Sequence, residues 1–544
     1  MASQLSRIES RSLALFRGVP RAALAVLFAA ALHGPAHAQC ALSEASKLTA
    51  SDAFAGDRFG IDSSVDGDVA IFGASFHADG GAFSGAAYVY RSSGSSWVEE
   101  AKLTASDASS GDFFGSAVAI HDNRAVVGAF GDDDGGSQSG AAYVFFFDGT
   151  NWVEEAKLVA SDADVGDNFG VSVAIDDFVI VVGAHANQDF GLLTGSAYVF
   201  RFDGTSWSQD AKLLSSDISG GDFFGRHVSV AGNVALITSI GEDEFGLDTG
   251  AAYAFRYDGT WAEEAQLTAS DPDPFAQFGS SVSLFENRAV VGAWRGEGLA
   301  VDAGSAYVFQ FDGANWVEEA KLAASDGATN DFFGNAVATD GTVVVVGAYG
   351  DDDDGTNSGS AYVYRYNGLS WTEEAKLSAT DAAANDEFGS VVGASAGTAV
   401  ISASRDDDAG TSSGSAYAFT VDGWLDLGNA LAGTNGLPLL VGSGYALGGC
   451  TVMLSLSNAL PSTFAVLFIG GTRVDAPFLG GVLVPSPDSY IYPIPINAMG
   501  KKSLSATWMP GAPSGSSVFL QFWINDPVAV QGFSASNSVS LTVP

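Results

Sequence analysis

The sequence predicts an all-β protein: a seven-bladed β-propeller followed by a small C-terminal β-rich, sandwich-like domain. Three observations carry this expectation. Phe-Gly recurs at 59/60, 114/115, 169/170, 224/225, 278/279, 333/334 and 388/389, a period of 54 or 55 residues. Each period holds four short apolar or alternating runs separated by Asp-Gly or Asn-containing turns, which tolerate the positive φ that hairpins demand. Glycine is dense, 67 of 544 residues, and the period-two pattern excludes a helical solenoid. Four-stranded sheets that cannot bury their faces alone fit blades around a channel, with a linear β-array as the competing arrangement.

The second repeat shows the elements in order. FGSAVAI (114–120) is the first strand, RAVVGAF (124–130) the second, GAAYVFFF (140–147) the third and WVEEAKL (152–158) the fourth. The first two are almost continuously apolar, as covered faces require, whereas the fourth is mixed and charged, as suits an exposed edge. LSEASKL (42–48) stands in the register of WVEEAKL but precedes the first Phe-Gly. This predicts that the N-terminal strand 42–48 closes the seventh blade, whose own end, GWLDLG (423–428), is weak. The predicted domains are 1–38, a signal peptide; 39–427, the propeller; and 428–544, the C-terminal β domain. In that last segment Trp508, Trp523 and Tyr490 are read as core rather than as an aromatic binding surface.

The first 38 residues carry four arginines, an apolar run (22–32) and Ala36-His37-Ala38, which predicts cleavage between Ala38 and Gln39 and export to the periplasm, cell surface or exterior. The formal charge of −41 becomes −44 once Arg7, Glu9, Arg11, Arg17 and Arg21 are gone. Such acidity excludes nucleic acid as a partner, and no later apolar run is long enough for a membrane helix. Cys40 and Cys450 are left either as a bridge joining the two ends or as two separate thiols.

Phe-Gly, then Val-Gly-Ala (127–129, 182–184, 291–293, 346–348), then Gly-Ala-Ala-Tyr-Val-Phe (140–145) resembles the FG-GAP repeat of integrin alpha-chain propellers and exported bacterial proteins. The resemblance implies extracellular recognition, often with calcium held in some blades. Two departures matter. The closing proline of the motif is replaced by Phe130, His185, Trp294 or Tyr349. The family's calcium loop lies between strands one and two, where this chain has only tight turns such as Asp122-Asn123. The acids gather instead between strands two and three, in GDDDGGSQSG (131–140), GDDDDGTNSG (350–359) and RDDDAGTSSG (405–414).

Asp132, Asp134, Asp351, Asp352, Asp353, Asp354, Asp406 and Asp408 are therefore candidate calcium ligands; the alternative is a set of solvated connectors, because two alternating carboxylates do not make six to eight oxygens. The recurrent acids seven residues before Phe-Gly (Asp52, Asp107, Asp162 and their equivalents) are read as caps of the crossovers between blades. Gly410-Thr411-Ser412-Ser413-Gly414 matches a nucleophile elbow, but it precedes a strand rather than opening a helix. Repeats four and five diverge most, so Arg226, His227, Trp294 and Arg295 form the candidate ligand patch. The histidines at 77, 121, 185 and 227 are read as surface or loop residues. These features predict a non-enzymatic protein that binds an extracellular protein or glycan. The alternatives are a polysaccharide hydrolase or lyase and a structural envelope component.

Overall fold

The computed structural model describes residues 42, 44–93, 96–366, 370–421, 424–443, 451–508 and 516–542. The predicted signal peptide with Ala38 and Gln39, and both Cys40 and Cys450, lie outside them. Residues 41–422 form one compact unit, and the described residues from 424 onward belong to another.

The first unit is a ring of seven four-stranded antiparallel sheets. Blade 1 runs Ser63–Asp66, Val69–Ala74, Ala86–Ser92 and Trp97–Leu103; blades 2 to 6 repeat the same meander. Blade 7 has Phe388–Ser395, Thr398–Ala403 and Ser415–Thr420 from the end of the repeats, and its fourth strand is Glu44–Leu48, antiparallel to Ser415–Thr420 with Leu48 opposite Ala416. The N-terminal strand thus joins the last blade, as expected. Trp424–Asp426 does otherwise: it pairs with Phe533–Thr542 in the second unit. The fourth position of blade 7 is already filled, so this segment has no edge to occupy there, and the boundary falls near 422 rather than 427.

Second strands are buried along their whole length, as in Val69–Ala74, or all but their first residue, as in Arg124–Ala129, while fourth strands alternate, burying Leu103 and leaving Val98 and Glu100 exposed. Neighbouring blades meet at backbone. A Cβ on Gly128 would stand 2.0 Å from the Gly170 carbonyl oxygen, and one on Gly85 would stand 1.9 Å from that of Phe114, so both positions require glycine. Phe114 then sits in a nest against Tyr143 and Phe145, with centroids 5.5 and 6.0 Å away. The free edges of the innermost strands are satisfied by side chains of the preceding blade. Val118 N–H donates to Asp62 (2.7 Å), Ile120 N–H to Ser64 (3.2 Å) and Thr339 N–H to Ser283 (3.1 Å).

The second unit is the expected sandwich. A five-stranded sheet and a three-stranded sheet (Leu439–Ser443, Thr451–Ser457, Lys502–Thr507) share a core in which Leu440, Val452 and Leu454 meet Leu467, Leu520 and Phe522. Trp508 is buried in it and Trp523 in a second cluster with Phe468 and Leu483 on the other face of the larger sheet, both core as read, whereas Tyr490 is half exposed.

The clasp yields a prediction. Leu48 is as buried as Leu158, its equivalent in blade 2. Leu48→Ala and Leu158→Ala should therefore each destabilise by about 2–4 kcal/mol in urea unfolding. A Leu48→Ala cost below ~0.5 kcal/mol, with Leu158→Ala at full cost, would show that the N-terminal strand does not close the ring.

Candidate functional site

Each acidic connector meets the crossover that enters its own blade, and the lysine of that blade's fourth strand stands between their acids. In blade 2, Lys157 projects from the fourth strand and its ammonium lies 2.8 Å from Asp107, 2.9 Å from Asp132 and 2.6 Å from Asp134. The Tyr143 hydroxyl contacts Asp107 at 2.7 Å and Asp132 at 2.8 Å. Blade 6 repeats this with Lys376, Asp326, Asp351 and Asp353, and blade 7 with Lys47, Asp381, Asp406 and Asp408. Blade 1 substitutes His77 for the first loop acid, and Lys102 contacts its Nε2 at 2.8 Å. Burial opposes the charge on Lys157, but its three carboxylate partners outweigh that and hold the ammonium above its ordinary range; Asp107 is correspondingly held low.

Six of the eight candidate calcium ligands reach these clusters. Asp352 instead accepts the Asn357 N–H at 2.7 Å, fixing the loop, and Asp354 points to solvent. The donors that converge number two loop acids and one crossover acid, already gathered by an ammonium at hydrogen-bond distances. This set fits a lysine, not a calcium ion that needs six to eight oxygens. The sequence carried the signal in the lysine of WVEEAKL, which recurs in six of the seven fourth strands.

The crossover acids divide their work differently from the expectation. Asp107 and its equivalents take side-chain donors, both tyrosine and lysine at Asp52, Asp107, Asp271, Asp326 and Asp381. Crossover capping falls to the second acid: Asp57 accepts Phe54 N–H at 2.9 Å, and Asp167 accepts that of Asp164 at 3.0 Å. Nor are the histidines surface residues throughout. His77 is buried, its Nδ1 2.9 Å from Asp57, and His227 lines the channel.

Blade 4 lacks the lysine. Gln266 takes its place, 3.1 Å from Asp217, and Glu242 replaces the loop aspartate. Burial, followed by repulsion from Glu242, Asp217 and Asp243, pushes the Asp222 carboxyl up to about 6.

The candidate ligand patch does converge. A cavity of about 380 Å³ at the crossover-face mouth of the channel is lined by Arg226, His227 and Trp294, together with Arg58, Tyr349, Glu387 and Arg405. It opens into the channel proper, about 900 Å³. Arg295 lies beside it, stacked on the Trp294 ring at 4.6 Å. Trp294, Phe332 and Tyr349 form an aromatic ladder, with centroids 5.1 and 5.2 Å apart along it.

The origin of these arginines sets the mouth apart. Six lysines of the propeller serve the acid clusters. Six arginines (Arg91, Arg124, Arg201, Arg256, Arg288, Arg365) pair with acids of the fourth strands. The four that remain, Arg58, Arg226, Arg295 and Arg405, all gather at the mouth. Among the described residues only Arg405 of these forms an ion pair, with Glu387 at 2.9 Å. Burial lowers the pKa of Arg226 with no carboxylate to offset it. Burial, then Arg226, pushes His185 down to about 4; burial, Arg226 and His185 push His227 down to about 3, so both imidazoles are neutral. Sequence reading found Arg226, His227, Trp294 and Arg295 from repeat divergence but missed Arg58 and Arg405, which stand in more regular repeats.

Two outcomes test the cluster chemistry. Gln266→Lys supplies the missing ammonium and should raise stability by about 0.5–1 kcal/mol at pH 7, a gain that vanishes as the acids protonate; a loss of stability would refute the assignment. The Asp222 value lies above that of the unfolded chain. Its stabilising contribution is therefore complete below about pH 4 and lost as pH rises through 6. Asp222→Asn should flatten the corresponding decline in melting temperature between pH 4.5 and 7, and an unchanged profile would sink this account.

Comparison with curated proteins finds no match. The profile of the FG-GAP repeat matches residues 42–90, 97–145, 152–200, 207–255, 261–309, 316–364 and 371–419. Each match begins with the fourth strand of one blade and ends in the third strand of the next, the same one-strand offset that makes Glu44–Leu48 close the ring. With seven matches spanning most of its propeller, the chain belongs to the FG-GAP repeat family.

Proposed function

We propose that this chain is an exported, non-enzymatic recognition protein that binds an anionic extracellular glycan at the channel mouth of its propeller. One observation carries the reading: every propeller arginine outside the repeating ion pairs gathers at that mouth, in a molecule whose net charge is −41. Lining guanidiniums outnumber carboxylates there, with Arg58, Arg226 and Arg405 set against Glu387. A guanidinium presents a planar fork to a carboxylate. The adjoining ladder of Trp294, Phe332 and Tyr349 offers flat apolar surface to the C–H face of a sugar ring. Export rests on the N-terminal charge and cleavage pattern. Calcium has no part in this reading, because lysines gather the loop acids.

The test compares oligogalacturonate with a neutral maltodextrin of equal length by calorimetry. Binding of the acidic sugar alone is expected, weakening with salt and falling about tenfold or more in Arg226→Gln and in Arg58→Gln. Equal binding of both sugars, or variants that bind as the parent does, would refute it. Appearance of new reducing ends would assign the mouth to an enzyme instead.

A further inference from the structure

The connectors between second and third strands keep one backbone form but not one chemistry. Their central glycine has a strongly positive φ in blades 1, 2, 3, 4, 6 and 7, for instance Gly136 at 132° and Gly246 at 144°. The residues on either side of that position are small or polar in blades 1, 2, 6 and 7, such as Gly135/Ser137 and Asp354/Thr356. In three consecutive blades they are large and apolar: Phe190/Leu192, Phe245/Leu247 and Leu299/Val301.

None of these six side chains is needed by the fold, since the other blades build the same loop without them. All are between 51% and 68% exposed. Phe275, on the crossover between blades 4 and 5, adds a seventh at 51%, its N–H bonded to the Leu247 carbonyl at 2.8 Å. The Gly221 N–H likewise bonds the Leu192 carbonyl at 3.0 Å, so connectors and crossovers run together as one arc. The apolar area is on the order of several hundred Å², the size at which exposed patches mark interaction sites.

Charge identifies the occupant. Asp243, Glu244 and Glu297 are exposed within the arc. The nearby lysines are consumed, Lys212 by Asp162 and Asp189 and Lys321 by Asp271, and Arg295 is turned onto Trp294. An acidic rim repels an anionic bilayer, and a second copy would set like charges against each other. We infer that the arc on blades 3 to 5 docks a protein segment presenting apolar side chains flanked by Lys or Arg. This surface is distinct from the arginine mouth and does not depend on what the mouth binds.

The test uses the purified full chain and a fluorescent, short amphipathic leucine–lysine peptide, with its leucine–glutamate counterpart as control. Saturable anisotropy with the lysine peptide alone is expected. Leu192→Asp/Leu247→Asp should weaken it by about tenfold or more, while Val153→Asp, on an outer strand and also exposed, should leave it unchanged. Absence of binding, equal binding of the glutamate peptide, or equal loss in Val153→Asp would overturn the proposal. So would sedimentation showing a dimer of the parent chain that Leu192→Asp/Leu247→Asp dissolves, or flotation with anionic phosphatidylglycerol vesicles.

Discussion

The architecture depends on the close approach of backbone to backbone between blades. Where the glycine of one second strand faces the Phe-Gly turn of the next blade, as Gly128 faces Gly170, a single methyl group would overlap a carbonyl oxygen. That approach lets Phe114, Phe169 and their equivalents reach the nest beneath the third strand. It also lets each connector hydrogen-bond the incoming crossover. Phe-Gly and Gly-Ala, adjacent in no single strand, are therefore two halves of one contact made at five of the seven blade junctions, with Thr238 and Ser402 replacing the glycine at the other two. Blade 7 meets blade 1 with Ser402 in place of that glycine, its side chain lying against Gly60. There the N-terminal strand adds the hydrogen bonds that hold first and last repeats together.

A chain with so many acids must keep them from repelling one another. It does so by giving each recurrent acid a donor. Crossover acids take tyrosine and lysine, second acids take backbone N–H groups, and the first and third loop acids share the lysine. The net charge is thus spread over local clusters that are each partly neutralised, and blade 4, with glutamine for lysine, is where the balance is weakest. Against this background a few unpaired guanidiniums at the channel mouth make a local potential opposite in sign to that of the whole molecule. Desolvated around Arg226 and His227, such groups act more strongly than they would in water.

Much of this was legible because propellers repeat. Spacing alone located the blades, and the register of residues 42–48 with the fourth strands located the closing strand. Repeat divergence singled out Arg226 and Trp294. The role of Lys157 was not legible, because its partners Asp107 and Asp132 lie 50 and 25 residues away and meet only when connector and crossover emerge on one face. His77 looked like a stray loop histidine until the ring placed it in the slot of Asp132. Arg58 and Arg405 gave no signal, since each is one residue in an otherwise ordinary repeat.

The sequence by itself determined the number of blades, their strand order and the identity of the closing strand, because local periodicity and a fixed repeat length constrain those directly. Only the tertiary structure decided that lysines gather the loop acids, that Trp424–Asp426 belongs to the second unit, and that four arginines from blades 1, 4, 5 and 7 share one mouth. Those outcomes depend on which residues from distant repeats converge when the ring closes, and circular closure brings together positions that no spacing along the chain relates.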